Sequence, residues 1–189
     1  MATVTVRNGV DVGALVETIE AIQTKPELAR FTFRARTAWE DGMHSTARIG
    51  SFLHAGAEDE SRAAPFELEG DEPPVLLGRN LGAHAVELLL AALGFCYSVG
   101  YVANAAARGI EIEQMEYELE GDIDLRNFLG LSDEVRPGFT EIRARARVKA
   151  PQASEAELQE LCSYVQQTSP VRDVLANGVP VSTSIEALS

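Results

Sequence analysis

Cysteine is scarce in this chain of 189 residues, where Cys96 and Cys162 are the only two. Two thiols cannot build a disulfide framework, and in a reducing compartment each is either a buried space-filler or a redox-active group. Basic residues are also few. Sixteen Lys and Arg stand against 29 Asp and Glu, and a formal charge of −13 repels phosphate backbones and anionic membrane surfaces. Neither nucleic acid nor membrane is an expected partner. Residues 1–7 do not combine a basic stretch with an apolar run of signal-peptide length, so the expected location is the cytoplasm. His44, His54 and His84 lie too far apart to share metal-ligand spacing, and no Gly-rich phosphate loop or nucleophile elbow occurs. No metal and no cofactor is expected. What is present, 46% apolar and 24% charged residues, is the composition of an ordinary globular protein, and the length suits a single domain over residues 1–189.

Asp11 caps a predicted amphipathic helix over about residues 11–25, with Val12, Leu15, Val16, Ile19 and Ile22 at three- and four-residue steps. Phe31, Phe33, Ala35 and Thr37 alternate with polar residues as in a half-buried strand, and a turn at Glu40-Asp41-Gly42 leads to a second strand from Ser45 to Phe52. The stretch from Gly50 to Gly82 is rich in Gly, Pro and acidic residues and reads as an irregular surface excursion. Ala83 to Arg108 has one interior charge, Glu87, and is apolar almost all round, which predicts a long helix buried on most sides. Its length would also span a membrane, but Gly94, Ser98, Gly100 and Asn104 dilute it, and the core reading is preferred.

Beyond it, Ile110, Ile112, Met115, Tyr117 and Leu119 alternate with Glu111, Glu113, Glu116, Glu118 and Glu120 and slip phase at Gln114, which suggests a bulge in a strand. Ile142, Ala144, Ala146 and Val148 alternate with Arg143, Arg145, Arg147 and Lys149. Antiparallel pairing would set the acidic ladder beside the basic one, so the arginines are assigned to structure rather than to an anion site. Ser154 and Glu157 form a capping box for a helix that ends before Pro170, and a last strand is predicted from Val179 to Ile185. The sum is an α+β fold with a long buried central helix against antiparallel sheets.

On that helix Leu89, Leu93, Cys96, Gly100 and Ala103 share one face, and Cys162 lies on the apolar face of the later helix. Trp39, Phe52, Phe66, Phe95, Tyr97 and Tyr101 could line an apolar pocket, although core packing is the commoner role of such residues. The run from Ala85 to Cys96, the later Ser169-Pro170-Val171 and the order of elements around them resemble the OsmC family, which includes the organic hydroperoxide resistance proteins. The resemblance covers roughly residues 30–186. It implies an intertwined homodimer with active sites at the subunit interface and a thiol peroxidase activity, in which Cys96 attacks a hydroperoxide. The resulting sulfenic acid then condenses with a second cysteine, here Cys162, to a disulfide that a dithiol reduces.

The chain differs from the peroxidase pattern at three places. Val86 stands where the resemblance implies a glutamate, with Glu87 adjacent; Ser169 stands where it implies the second cysteine; and the turn after the first family strand has no arginine. His44, Arg36 and Arg48 are the candidate substitutes for that arginine, and Glu87 and Ser169 are further candidate supporting residues. A mid-helix cysteine is not helped by the helix N-terminus, and apolar burial disfavours its thiolate, so Cys96 needs a cation nearby. Two readings stand. One is a thiol-dependent reductase of organic hydroperoxides serving oxidative-stress defence; the other is a relative without that activity that binds a small apolar ligand at the dimer interface.

Overall fold

The structure is a computed structural model that describes residues 5–188. Residues 1–4, part of the opening stretch read above for a signal segment, lie outside them. The chain divides into two units, Met1–Ala91 and Ala92–Ser189, and the boundary falls inside one continuous helix.

In the first unit β1 (Val6–Arg7) and β2 (Val10–Asp11) form a small hairpin. Asn8 and Gly9 turn it with φ of 52° and 77°, the left-handed pair that a two-residue hairpin requires. Helix α1 (Val12–Thr24) starts as expected, with the Asp11 carboxylate accepting the Ala14 N–H. The predicted strand at 31–37 is broken into β3 (Phe31–Thr32) and β4 (Arg36–Asp41). Between them Phe33 leaves the ladder and stacks on Phe31, ring centres 5.5 Å apart. Strand β5 (His44–Ile49) pairs with β4 across a turn in which Gly42 has φ of 59°.

The excursion from Gly50 to Gly82 is not irregular. It holds β6 (Phe52–His54), β7 (Ala57–Asp59) and β8 (Phe66–Gly70), which complete two antiparallel sheets of order β3-β6-β7 and β4-β5-β8. Strands of three to five residues are too short to announce themselves among turn residues. Past β8 the chain is tied by buried Asp71, whose carboxylate accepts the backbone N–H groups of Glu72, Arg79 and Leu81 at 2.8–3.1 Å.

Helix α2 (Ala85–Ala107) crosses the boundary and founds the second unit. It is the one helix among the described residues that is long and apolar enough to cross a membrane. Its stop follows from Gly109, whose φ of 79° lets the Ile110 N–H reach back to the Ala105 carbonyl. The expectation of burial on most sides is corrected, because only one stripe is covered. Leu93, Tyr97, Tyr101 and Ala105 are buried at four-residue steps, whereas Phe95 and Val99 are 74% and 70% exposed. Gly94 and Gly100 allow the covered stripe to come close to its neighbours. A Cβ at Gly94 would stand 3.1 Å from Leu119 Cδ1, and one at Gly100 would stand 3.0 Å from Val165 Cγ1.

Strands β9 (Gln114–Asp122) and β10 (Glu141–Lys149) pair antiparallel in unbroken register, with Glu120, Glu118 and Glu116 opposite Arg143, Arg145 and Arg147. The phase slip at Gln114 therefore marks the start of the strand rather than a bulge. The expected charge ladder is present: Arg147 bridges Glu116 and Glu118, and Arg143 meets Glu120, Asp122 and Glu141. These pairs are exposed and screened by solvent, so they add little to stability and their main effect is on register. Met115, Tyr117 and Leu119 point the other way, toward the covered stripe of α2.

Helix α3 (Glu155–Thr168) has the predicted Ser154/Glu157 capping box and sinks Leu161 and Val165 completely into the same core. Ser169 ends it and begins α4 (Pro170–Asn177), with proline at the first turn. The predicted strand from Val179 to Ile185 does not form. Its alternation gives it strand character, but it has no paired edge among the described residues, and Val181 and Ile185 are 83% and 98% exposed.

Two stability predictions follow from these contacts. Leu161→Ala should cost about 2–5 kcal/mol in urea unfolding, because Leu161 is fully buried in the core cluster and its truncation leaves a cavity there. Burial pushes the Asp71 carboxyl up, but the three N–H donors together with nearby His44 outweigh it and hold the group below its ordinary range, so its stabilisation is present above the unfolded value of about 3.9 and is lost as pH falls through the lower folded value. Asp71→Asn should melt earlier than the parent at pH 7, and thermal melts should show that gap closing in acid.

Candidate functional site

Cys96 occupies the border of α2's covered stripe, between exposed Phe95 and buried Tyr97, and is itself half-buried. Its Sγ lies 3.1 Å from Ser169 Oγ. Ser169 is only 5% exposed, and its position is fixed from both sides, as the last cap of α3 and the first of α4. The Ser169 hydroxyl accepts the Arg172 N–H at 3.2 Å. A hydroxyl has one hydrogen and two lone pairs, so this leaves the Ser169 hydrogen free to point at the sulfur.

Cys162 sits elsewhere on α3. Its sulfur accepts from Gln166 Nε2 at 3.1 Å and packs against the core. The two thiols are both free. Around them lies a tyrosine cluster, with the Tyr97 and Tyr117 rings 5.7 Å apart and Tyr101 meeting Tyr117 edge-on at 6.0 Å. Burial pushes the Tyr101 phenol well above its usual range, and a hydrogen bond with Cys162 adds to it. Burial does the same to Tyr117, whose buried hydroxyl has no hydrogen-bond partner among the described residues. Burial also raises Tyr97, but here the Arg172 guanidinium acts in the opposite direction. A cation thus acts on the residue next to Cys96.

Arg172 was not found from the sequence. The signal was the Ser-Pro step at 169–170, which reads as an N-cap and first turn and makes the third residue after the cap a neighbour of the serine. Helix α4 was missed with it.

The remaining candidates belong to the first unit, and Glu87, His44 and Arg48 each have a structural partner there. Glu87 accepts the His84 N–H at 2.9 Å and caps the start of α2. His84 accepts the Val86 N–H at Nδ1 and turns Nε2 to Glu72 at 2.9 Å. His44 pairs with Glu69 across the β5–β8 ladder. Arg48 pairs with Glu67 at 2.9 Å, and Arg36 stands directly opposite Arg48 in the β4–β5 register. Of the predicted site residues, the second unit brings together Cys96 and Ser169.

An α+β chain with a long apolar helix, a half-buried thiol on it and a capping hydroxyl against that thiol defines a class of helix-cysteine proteins. The family is shown directly. A family model described as OsmC-like protein matches residues 78–184, more than half of the sequence, and the chain belongs to this family.

The fold has solved counterparts at low identity. An OsmC-like protein from Mycoplasma pneumoniae is 18% identical, with TM-score 0.60, over 77% of this chain and 88% of that one. The organic hydroperoxide resistance protein OsmC from Legionella pneumophila, termed a predicted redox protein, is 15% identical with TM-score 0.55 over 78% and 90%. An organic hydroperoxide resistance protein from Elizabethkingia anophelis is 17% identical with TM-score 0.55 over 77% and 89%. No curated protein matches the chain.

Proposed function

We propose that this protein is a thiol-dependent reductase of organic hydroperoxides, acting in the cytoplasm as a homodimer, with Cys96 as the attacking thiol. The observation that carries the reading is the 3.1 Å approach of Ser169 Oγ to Cys96 Sγ, on a helix that leaves the thiol half open. A hydroxyl that donates to sulfur favours its anionic form, which is the nucleophile, and Arg172 supplies positive charge beside Tyr97. The names of the Legionella and Elizabethkingia proteins supply the substrate class.

The homodimer is supported by the uncovered side of α2. Phe95 and Val99 form an apolar face on a helix that has almost no charge, and a second copy would remove it from water. The second reading, a relative that binds a small apolar ligand, draws support from the buried Tyr117 hydroxyl, which would gain a partner from a ligand with one polar atom.

The purified protein with a dithiol reductant should consume cumene hydroperoxide, and Cys96→Ser should reduce consumption to the background rate. No turnover by the parent, together with a raised melting temperature on adding an apolar ligand, would select the second reading. Phe95→Asp should convert the dimer to a folded monomer in light scattering with unchanged circular dichroism; a persistent dimer would place the interface elsewhere.

A further inference from the structure

The hydrogen bonds of the two thiols separate them. Cys96 Sγ faces Ser169 Oγ at 3.1 Å, and Cys162 Sγ takes a hydrogen bond from Gln166 at 3.1 Å. Cys162 is seven positions before Ser169, the residue that meets Cys96, so it lies about 10 Å along the α3 axis from the point where that helix reaches the Cys96 sulfur. A disulfide requires Cα atoms within about 7 Å. Helix α3 cannot slide to close that gap, because Leu161 and Val165 on either side of Cys162 are fully buried and Val165 fills the notch at Gly100. The chain has no third cysteine.

We infer that the oxidised Cys96 is resolved by a thiol from solution and not by a cysteine of its own chain. This rests on the peroxidase reading above and deepens it by naming the reductant class and the intermediate. The Cys96 thiolate attacks one oxygen of ROOH; the O–O bond breaks, RO⁻ leaves and is protonated to ROH, and Cys96 becomes a sulfenic acid. An external thiolate R′S⁻ attacks the sulfenic sulfur; the S–O bond breaks, hydroxide leaves as water, and a Cys96–S–S–R′ mixed disulfide forms. A second R′S⁻ attacks the R′ sulfur and returns the Cys96 thiolate. The balance is ROOH + 2 R′SH giving ROH + H₂O + R′SSR′.

Access for R′SH comes from the open side. Cys96 is only half-buried in the single chain, and in the proposed dimer a small thiol reaches the sulfur along the edge of the Phe95 and Val99 face rather than through the core. The Ser169 hydroxyl holds the place beside the sulfur without competing as a nucleophile for the sulfenic acid.

The test uses the full chain, one equivalent of cumene hydroperoxide, and then glutathione as the monothiol probe or dihydrolipoamide as the dithiol probe, read by intact mass and peptide mapping. One glutathione on Cys96, with turnover supported by glutathione, is the expected result; turnover with dihydrolipoamide alone assigns the external thiol to a dithiol source. A loss of two hydrogens mapping to a Cys96–Cys162 disulfide, within a chain or between two copies, overturns the inference and leaves the peroxidase standing. No oxidation of Cys96 at all removes the peroxidase reading itself. In Ser169→Cys the introduced sulfur stands against Cys96, so peroxide should yield an internal disulfide and the glutathione adduct should be lost. Retention of the adduct in that folded variant would show that position 169 does not face the reacting sulfur, and would overturn the inference.

Discussion

The second unit depends on one close approach. Helix α2 comes near enough to β9 and α3 that a single added carbon would touch Leu119 at Gly94 or Val165 at Gly100. Everything around the thiol inherits that constraint. Val165 and Leu161 are fully buried because α3 lies in the notch, and their burial fixes the axial position of α3. That axial position determines where the helix ends, and its end is Ser169, the residue that meets Cys96. The sulfur–hydroxyl pair is therefore a product of backbone packing more than of any attraction between the two groups.

The parts of the fold governed by local rules were legible in the sequence. The Asp11 cap, the Ser154/Glu157 capping box, the Gly42 turn, the opposed acidic and basic ladders and the helix stop before Pro170 each follow from residues within a few positions or from a simple alternation. The Asn8-Gly9 hairpin carried an equally local signal and was passed over. What was not legible depends on a neighbour. Val179–Ile185 alternates like a strand but pairs with no edge among the described residues, and Phe52–His54 and Ala57–Asp59 are strands only because a turn at Ala55-Gly56, both with positive φ, folds one on the other. Composition said that α2 was apolar on every side; it could not say that one chain covers only a stripe.

The candidate site was half legible. Cys96 stood out through its helix and the family pattern, and Ser169 through its place before a proline. Cys162 looked similar to Cys96 by sequence, a thiol on an apolar helix face, yet the two environments differ in what the sulfur touches: a capping hydroxyl for one, Gln166 and the tyrosine seam for the other. Arg172 was hidden because its relation to Cys96 passes through a helix start that had not been recognised. Glu87, His44 and Arg48 have structural partners, His84, Glu69 and Glu67, that their residue types alone did not announce.

Ser169 also has an evolutionary consequence. The same oxygen caps α4 and touches Cys96, so the inheritance of a helix end and of a sulfur environment is a single genetic trait. Sulfur accepts hydrogen bonds weakly and is a poor N-cap, and losing a serine cap costs about 1 kcal/mol. A lineage moving between serine and cysteine at this position would exchange helix stability for an internal redox partner in one codon change, without an intermediate that keeps both.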